Sequence, residues 1–386
     1  MPAPDVAIVS PYPRSGARHG GPSGVASYTV ALAHALSDAG AQVEVLAPAE
    51  PGAPAVTADG AVTVRRPFAR GARALGTALR AARATGAPTV HLQHETFLYG
   101  GAASVPGLVP ALGAMRRSPA RTVVTMHHVV DGPVDAAFTH LHRVAAPPIL
   151  ARAGLQGVRT AIRRLADRVI VHEPAFARAI PGAAVVPHGV ELPGQLSRAE
   201  ARARLGIEED RLTVLCFGFL APYKGLDPAL AAAAILGDAV RLVVAGGEHP
   251  RLAQAGDGYA AGLRAANPHA RFTGFVPDAD VAAWFAATDL ALFHYPRPVS
   301  TSGGLALAFA HRTPVLLSEE LAGTVGAPRA LVAPREPRAL AAQLAGIAAG
   351  APRSLNALRA EVEHLGRGRS WPAVARRHLE IYAGAA

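Results

Sequence analysis

The chain has 386 residues, half of them hydrophobic, which exceeds one ordinary core and suits two α/β domains. Its single cysteine, Cys216, excludes an internal disulfide and a cysteine-based zinc cluster. Basic residues outnumber acidic ones 38 to 28, yet no recognition motif or aromatic-interleaved basic stretch accompanies the charge, so nucleic acid is not an expected partner.

Short apolar runs alternate with helical patterns along the whole chain. "VAIVS" (6–10) reads as a buried parallel strand by its β-branched content. After a glycine-rich loop, "VASYTVALAHALSDAG" places Val25, Tyr28, Leu32 and Leu36 on one helical face, and Gly40 terminates the helix. Strands follow at "QVEVLAP", "TVRRP", "TVHLQHE", "TVVTMHH", "RVIVHE" and "AAVVPHG". The segment 187–196, with its Pro and Gly, reads as an interdomain hinge. Beyond it "SRAEARARLG" is a short helix, and "LTVLCFG" opens a second series with "VRLVVAGG", "ARFTGFV", "LALFHYP", "PVLLS" and "ALVAP". The final segment carries Trp371, Val374, His378 and Ile381 at helical spacing. This βαβα rhythm predicts doubly wound sheets in two Rossmann-like domains facing a cleft. The domains expected are 1–190 and 195–370, with the helix 371–386 returning to the first.

The N-terminus lacks the basic start and apolar stretch of a signal peptide. The most apolar run, before Asp238, is about ten residues and too short for a bilayer. A cytoplasmic protein is expected. Arginines cluster at 65–83 and 152–168, so the first domain is basic. That allows a phosphate-bearing acceptor or peripheral contact with the inner membrane face. All but one of the 38 basic residues are arginine. The exception, Lys224 in "GFLAPYKG", marks a place where a compact ammonium meets a phosphate as a point charge.

Ligands of open α/β sheets bind beyond the carboxyl ends of the strands. That rule selects the loop "HGGPSGVASY", where Gly20 and Gly21 let the backbone approach an anion at a helix N-terminus. It also selects Ser302, Gly303 and Gly304 ahead of a second helix, with Thr301 or Ser302 as N-cap. His127 and His128 end one strand; His94, Glu95 and His188 are placed alike on others. Their scatter argues against a zinc site. "DAD" (278–280) stands directly before a helical pattern, where aspartate caps or fills a first turn, so a metal-binding role is not expected.

The ordered set "GGPSGVASYTVALAHALSDAGAQVEVL", "TVVTMHH", "VVPHGV", "GFLAPYKGLD", "FTGFV", "TDLALF" and "SGGLALAFAHRTPVLLS" resembles the retaining family-4 glycosyltransferases of the GT-B fold, the group 1 glycosyltransferases. "LQHETFLYGG", "GGEHPR" and "TSGGL" resemble a bacterial subgroup. The resemblance implies a nucleotide-diphosphate sugar as co-substrate, no cofactor or metal, and retention of anomeric configuration by front-side attack. It implies that Lys224 contacts the donor diphosphate, that Gly21 lies beside the phosphates, and that His127 lies near the transferred sugar. Phe275 and Val276 match the segment whose backbone touches the base, and Ser302, Gly303 and Gly304 the phosphate-facing helix end. Glu95, His128 and His188 are the expected acceptor contacts. The acceptor class stays open between a small molecule and a lipid-linked saccharide. The family's paired glutamates are replaced near Val299 and Leu307, and Phe219 stands where an arginine is usual, leaving Arg297 or Arg14 to substitute. The alternative expectation is a catalytically silent GT-B homologue that serves as partner or regulator.

Overall fold

A computed structural model describes residues 3–14, 24–134, 136, 139, 144–191, 194, 196–209, 211–249, 252–253, 256–298 and 300–384. The chain divides into two compact units: Met1–Gly189 with Val299–Thr301 and Gly368–Ala386, and Val190–Pro298 with Ser302–Arg367.

In the first unit, β1 (Val6–Val9), β2 (Val43–Pro48), β3 (Val56–Asp59), β4 (Val62–Phe68), β5 (Thr89–His94), β6 (Arg121–Met126), β7 (Arg168–Val171) and β8 (Ala184–Val185) form one sheet among the described residues. Their order is β3-β4-β2-β1-β5-β6-β7-β8, all parallel except the β3–β4 pair. The order reverses at β1, so the crevice between β1 and β5 is the topological switch point. Alternation along β1 sends Ala7 and Val9 to one face and Val6 and Ile8 to the other, and each face meets its own core. Helices α2 (Ala74–Ala84), α3 (Leu108–Met115) and α4 (Pro148–Leu165) cover the first face. On the second face lies α1 (Gly24–Asp38), which ends ahead of Gly40 at φ +94° and packs against a C-terminal helix described below. A short α5 (Pro174–Ala179) links β7 to β8.

In the second unit, α6 (Arg198–Leu205) opens with a full capping box between Ser197 and Glu200 and stops at the left-handed Gly206. Strands β9 (Leu212–Phe217), β10 (Val240–Ala245), β11 (Arg271–Gly274), β12 (Leu290–Phe293) and β13 (Val315–Leu317) pair in parallel in the order β11-β10-β9-β12-β13. The reversal here falls between β9 and β12. Helices α7 (Asp227–Leu236), α8 (Tyr259–Ala266), α9 (Asp278–Ala287), α10 (Gly303–Ala310), α11 (Glu319–Val325), α12 (Pro337–Ala349) and α13 (Arg353–Gly366) complete the unit around one contiguous core. The last helix, α14 (Trp371–Ala383), belongs to the first unit, where Val374, His378 and Ile381 are buried. Gly189 lies against its Trp371, and a Cβ there would meet the indole at 2.4 Å.

Two local expectations are corrected, and one strand is added. "ALVAP" forms a short 3-10 turn, Arg329–Leu331, and one isolated bridge instead of a strand, because it only touches β13 at Val332. "AAVVPHG" pairs over two residues alone, since Pro187 cannot extend the ladder. β3 is an edge strand that was not expected; it is only four residues long, and its apolar positions, Val56 and Ala58, are the exposed ones, with Val56 57% exposed. No helix among the described residues is long and apolar enough to cross a membrane.

Candidate functional site

The second unit places Lys224 at its switch point. β9 ends at Phe217, and Gly218, at φ +124°, turns the chain away from the strand. A 3-10 turn, Pro222–Lys224, follows and closes on Gly225 at φ +58°. A Cβ on Gly225 would lie 2.2 Å from the His294 carbonyl, so this turn is pressed against the end of β12. That contact carries Lys224 to the neighbouring strand. Its Nζ donates to Tyr295 Oη at 2.7 Å and lies 4.3 Å from the Tyr295 ring centroid and 5.3 Å from that of Tyr223. Burial works to lower the ammonium's pKa, but Tyr295 and Tyr223 more than offset it and hold the group above its ordinary value. Lys224 is therefore a cation at neutral pH.

Tyr295 Oη is also 2.8 Å from Ser302 Oγ, which caps α10 by accepting from Leu305 N–H at 3.2 Å. Ser302, not Thr301, is thus the N-cap. Ser318 Oγ donates to the Tyr295 carbonyl at 2.6 Å and fixes the backbone under the phenol. A Cβ on Gly304 would stand 3.1 Å from Phe217 O, so α10 starts directly over the end of β9. The result is an ammonium, a phenol, a hydroxyl and a helix N-terminus in one hydrogen-bonded line. Gly303 and Gly304 precede the first intrahelical bond, from Ala306 N–H to the Ser302 carbonyl, and have no helical acceptor. Tyr295 is the residue that sequence reasoning missed. Its signal was positional: it stands two residues beyond the strand next to the switch point.

Around the same edge, Phe275 is 70% exposed whereas Val276 is buried. Phe219 and Tyr223 both meet His249 edge-on, with centroids 5.8 and 6.0 Å away. Phe219 thus occupies the arginine's place with an exposed aromatic ring. The "DAD" aspartates fall in the first turn of α9 behind Pro277 as N-cap, and Asp280 pairs with Arg204. No group of three or more His, Cys, Asp or Glu among the described residues is arranged to hold a metal ion.

In the first unit the carboxyl edge of the sheet gathers histidines. His127 and His128 follow β6 and are buried; His94 ends β5 and is buried; Glu95 and His188 are half-buried. Gly20 and Gly21 lie outside the described residues. His127 has both ring nitrogens engaged: Nε2 is 2.7 Å from Gln93 Oε1, and Nδ1 is 3.2 Å from His172 Nε2. His172 Nδ1 donates to the Val186 carbonyl at 2.9 Å. Burial first, and then the neighbouring His172 and His188, push the His127 pKa well below its usual value; His172 falls to about 3 and His188 to about 4. These rings are neutral at pH 7.

Two neutral imidazoles supply two N–H hydrogens, while the contacts to Gln93 oxygen, to each other and to Val186 need three. The count closes when Gln93 presents its NH2 to His127 and its oxygen to His91. His91 is then held between Thr125 and Tyr382 of α14, each at 2.7 Å. Tyr28 packs against His127, His172, His188 and Trp371 with centroids 4.8–5.3 Å away. The aromatic face of α1 and the histidine edge thus form one buried, neutral block. Gln93 and His172 were not expected, because each matters only through a ring on a different strand.

Comparison with known proteins follows this geometry. Residues 211–349 match the family described as "Glycosyl transferases group 1". No curated protein sequence matches the chain significantly. Among solved structures, sucrose-phosphate synthase from Thermosynechococcus elongatus aligns with TM-score 0.74 at 21% identity over 98% of both chains. Anabaena HepE in complex with UDP-glucose aligns at 0.67 and 14%, covering 99% of this chain and 100% of that one. A UDP-forming α,α-trehalose-phosphate synthase from Burkholderia xenovorans aligns at 0.64 and 13%, covering 100% and 99%. At such identities the likeness speaks for fold: the chain has the GT-B fold, and its second unit contains the stretch that matches the group 1 glycosyl transferases.

Proposed function

We propose that the chain is a metal-independent glycosyltransferase that moves a sugar from a nucleoside-diphosphate sugar to an acceptor with retention of configuration. The second unit would hold the donor and the first the acceptor. The observation that carries this reading is the Lys224–Tyr295–Ser302 line at the β9/β12 switch point. A sugar nucleotide reacts when its diphosphate can leave, and charge accumulates on the phosphate oxygens as the glycosidic bond lengthens. An ammonium and unpaired helix N–H groups stabilise that charge without a metal. The departing phosphate would then take the acceptor's proton on the same face.

Phe275 and the backbone at Val276 would meet the base. His127 would face the sugar as a neutral ring already held by Gln93 and His172, and Glu95, His128 and His188 would contact the acceptor. The UDP-glucose complex of HepE supports a nucleotide sugar as the donor class. A second property of the first unit supports peripheral contact with an anionic membrane face. Helices α2, α3 and α4 carry no acidic residue, and Ile149 and Leu150 on α4 are 75% and 61% exposed.

The test is a thermal-shift panel of UDP-, GDP- and dTDP-sugars, followed by donor hydrolysis. One nucleotide should stabilise the protein, and EDTA should leave turnover intact. Stabilisation by none, without hydrolysis, would leave the silent homologue as the reading.

A further inference from the structure

At its amino edge, opposite the histidine edge, the first unit's sheet holds a pocket of about 390 Å³, a size that suits a small ligand. Strand register builds its floor. Val6 of β1 pairs with Thr89 of β5, which pairs with Arg121 of β6. Residues in one such row share a face, and Val6 belongs to the core that α14 covers. Leu379 and Tyr382 of α14 therefore form the roof. Tyr382 is fixed from behind, because its Oη lies 2.7 Å from His91 Nδ1 and His91 Nε2 lies 2.7 Å from Thr125 Oγ1. The exposed Asp5, one residue ahead of β1, stands at the rim, and its Oδ2 accepts from Gln42 N–H at 2.7 Å.

Two polar groups of this pocket are uncommitted. Among the described residues the Arg121 guanidinium has no ion-pair or hydrogen-bond partner, and neither has the hydroxyl of Thr89. A Cβ on Gly384 would stand 2.9 Å from both terminal nitrogens of Arg121, so the guanidinium rests against the end of α14. A helix C-terminus favours a cation but offers only about half a negative charge. Asp5 and Arg121 together sum to zero, so a dianion would meet repulsion from Asp5 and a lone cation repulsion from Arg121. A zwitterion satisfies both. Val6, Leu379 and the ring of Tyr382 add an apolar wall beside the two charges.

We propose that this pocket binds a free amino acid with an apolar side chain. Its carboxylate would take the Arg121 fork as a bidentate pair, with the Thr89 hydroxyl beside it. Its ammonium would meet the open oxygen of Asp5, and its side chain would lie against Leu379 and Tyr382. Substrates of open α/β sheets bind beyond the carboxyl ends of the strands, at the opposite edge. The pocket is thus an effector site, and its occupancy is independent of the glycosyltransferase reading.

Isothermal titration of the intact chain with L-leucine, L-methionine and L-phenylalanine tests this site. At least one should bind with Kd below about 1 mM. Its N-acetyl derivative lacks the ammonium and its decarboxylated amine lacks the carboxylate, so each should bind at least about tenfold more weakly. Arg121→Gln and Asp5→Asn should each weaken binding about tenfold, and the asparagine keeps an acceptor for Gln42 N–H. Leu379→Trp fills the pocket without touching either charge and should abolish binding. Melting temperatures of the empty variants are the folding control. Absence of binding by all three amino acids up to about 10 mM, equal affinity for the charge-deleted analogues, or parent-like binding in all three variants would each overturn the proposal.

Discussion

Replacing Lys224 with methionine removes the ammonium and keeps most of the stem. Among the described residues, hydrogen bonds and ring contacts give Nζ neutral partners, Tyr295 at 2.7 Å and the faces of Tyr295 and Tyr223, so its charge is available to an incoming anion. A unit charge on a diphosphate oxygen about 4 Å away interacts by roughly 4 kcal/mol at an effective dielectric constant near 20. Water would recover part of this in the variant. The expected loss of transition-state stabilisation is therefore about 3–4 kcal/mol, or roughly 10²–10³-fold in kcat/KM. The folded state loses one hydrogen bond and a cation–π contact, about 1 kcal/mol each, and regains the desolvation cost of a buried charge. Tm should then move by no more than about 4 °C. Steady-state release of nucleoside diphosphate, beside a melting curve, measures both. Turnover within threefold of the parent protein, at unchanged Tm, would remove Lys224 from the diphosphate site.

Tyr295→Phe deletes the oxygen between Lys224 and Ser302 while leaving the ring, so kcat/KM should fall by roughly ten- to a hundredfold through mispositioning. Parent-like kinetics in that variant would make the phenol a packing group only. Gly225→Ala puts a methyl 2.2 Å from the His294 carbonyl at φ +58°, and should cost about 2 kcal/mol or more together with nucleotide affinity. A calorimetric titration with UDP that matches the parent would contradict the role given to this turn. Acid should unfold the first unit early. The rings of His94, His188 and His378 titrate near 4 and that of His172 near 3 when folded, but near 6.5 when unfolded. The unfolded chain binds the extra protons, so stability is complete above pH 7 and falls between about 6.5 and 4. Each ring contributes about 1.4 kcal/mol per pH unit in that window. Urea midpoints at pH 7.5 and 5.5 would expose the drop, and equal midpoints would refute the neutral-block description.

Local sequence chemistry determined much of this architecture. Period-2 and period-3.6 patterns, Gly40 after α1, and Ser197 with Glu200 before α6 act within a few residues, so they mark strands, helices and ends without knowledge of the rest. The alternation of strands and helices was enough for doubly wound sheets, and the lone lysine was conspicuous against so many arginines. Strand order was decided elsewhere. β9 neighbours β12 only because β10 and β11 pack to its other side, and this brings Tyr295 to Lys224 across 71 residues. The same holds for Tyr382 with His91, 291 residues apart, and for Arg66 with Tyr12, 54 apart. β3 and the failed strand at "ALVAP" show the reverse: an edge strand can turn its apolar residues to solvent, and an apolar run that meets the edge of β13 at one residue makes only a single bridge. Sequence specifies which groups stand at strand ends, because periodicity is local. Which ends meet is a property of the packed sheet, because hydrogen-bonded strand neighbours are chosen by burial of whole faces.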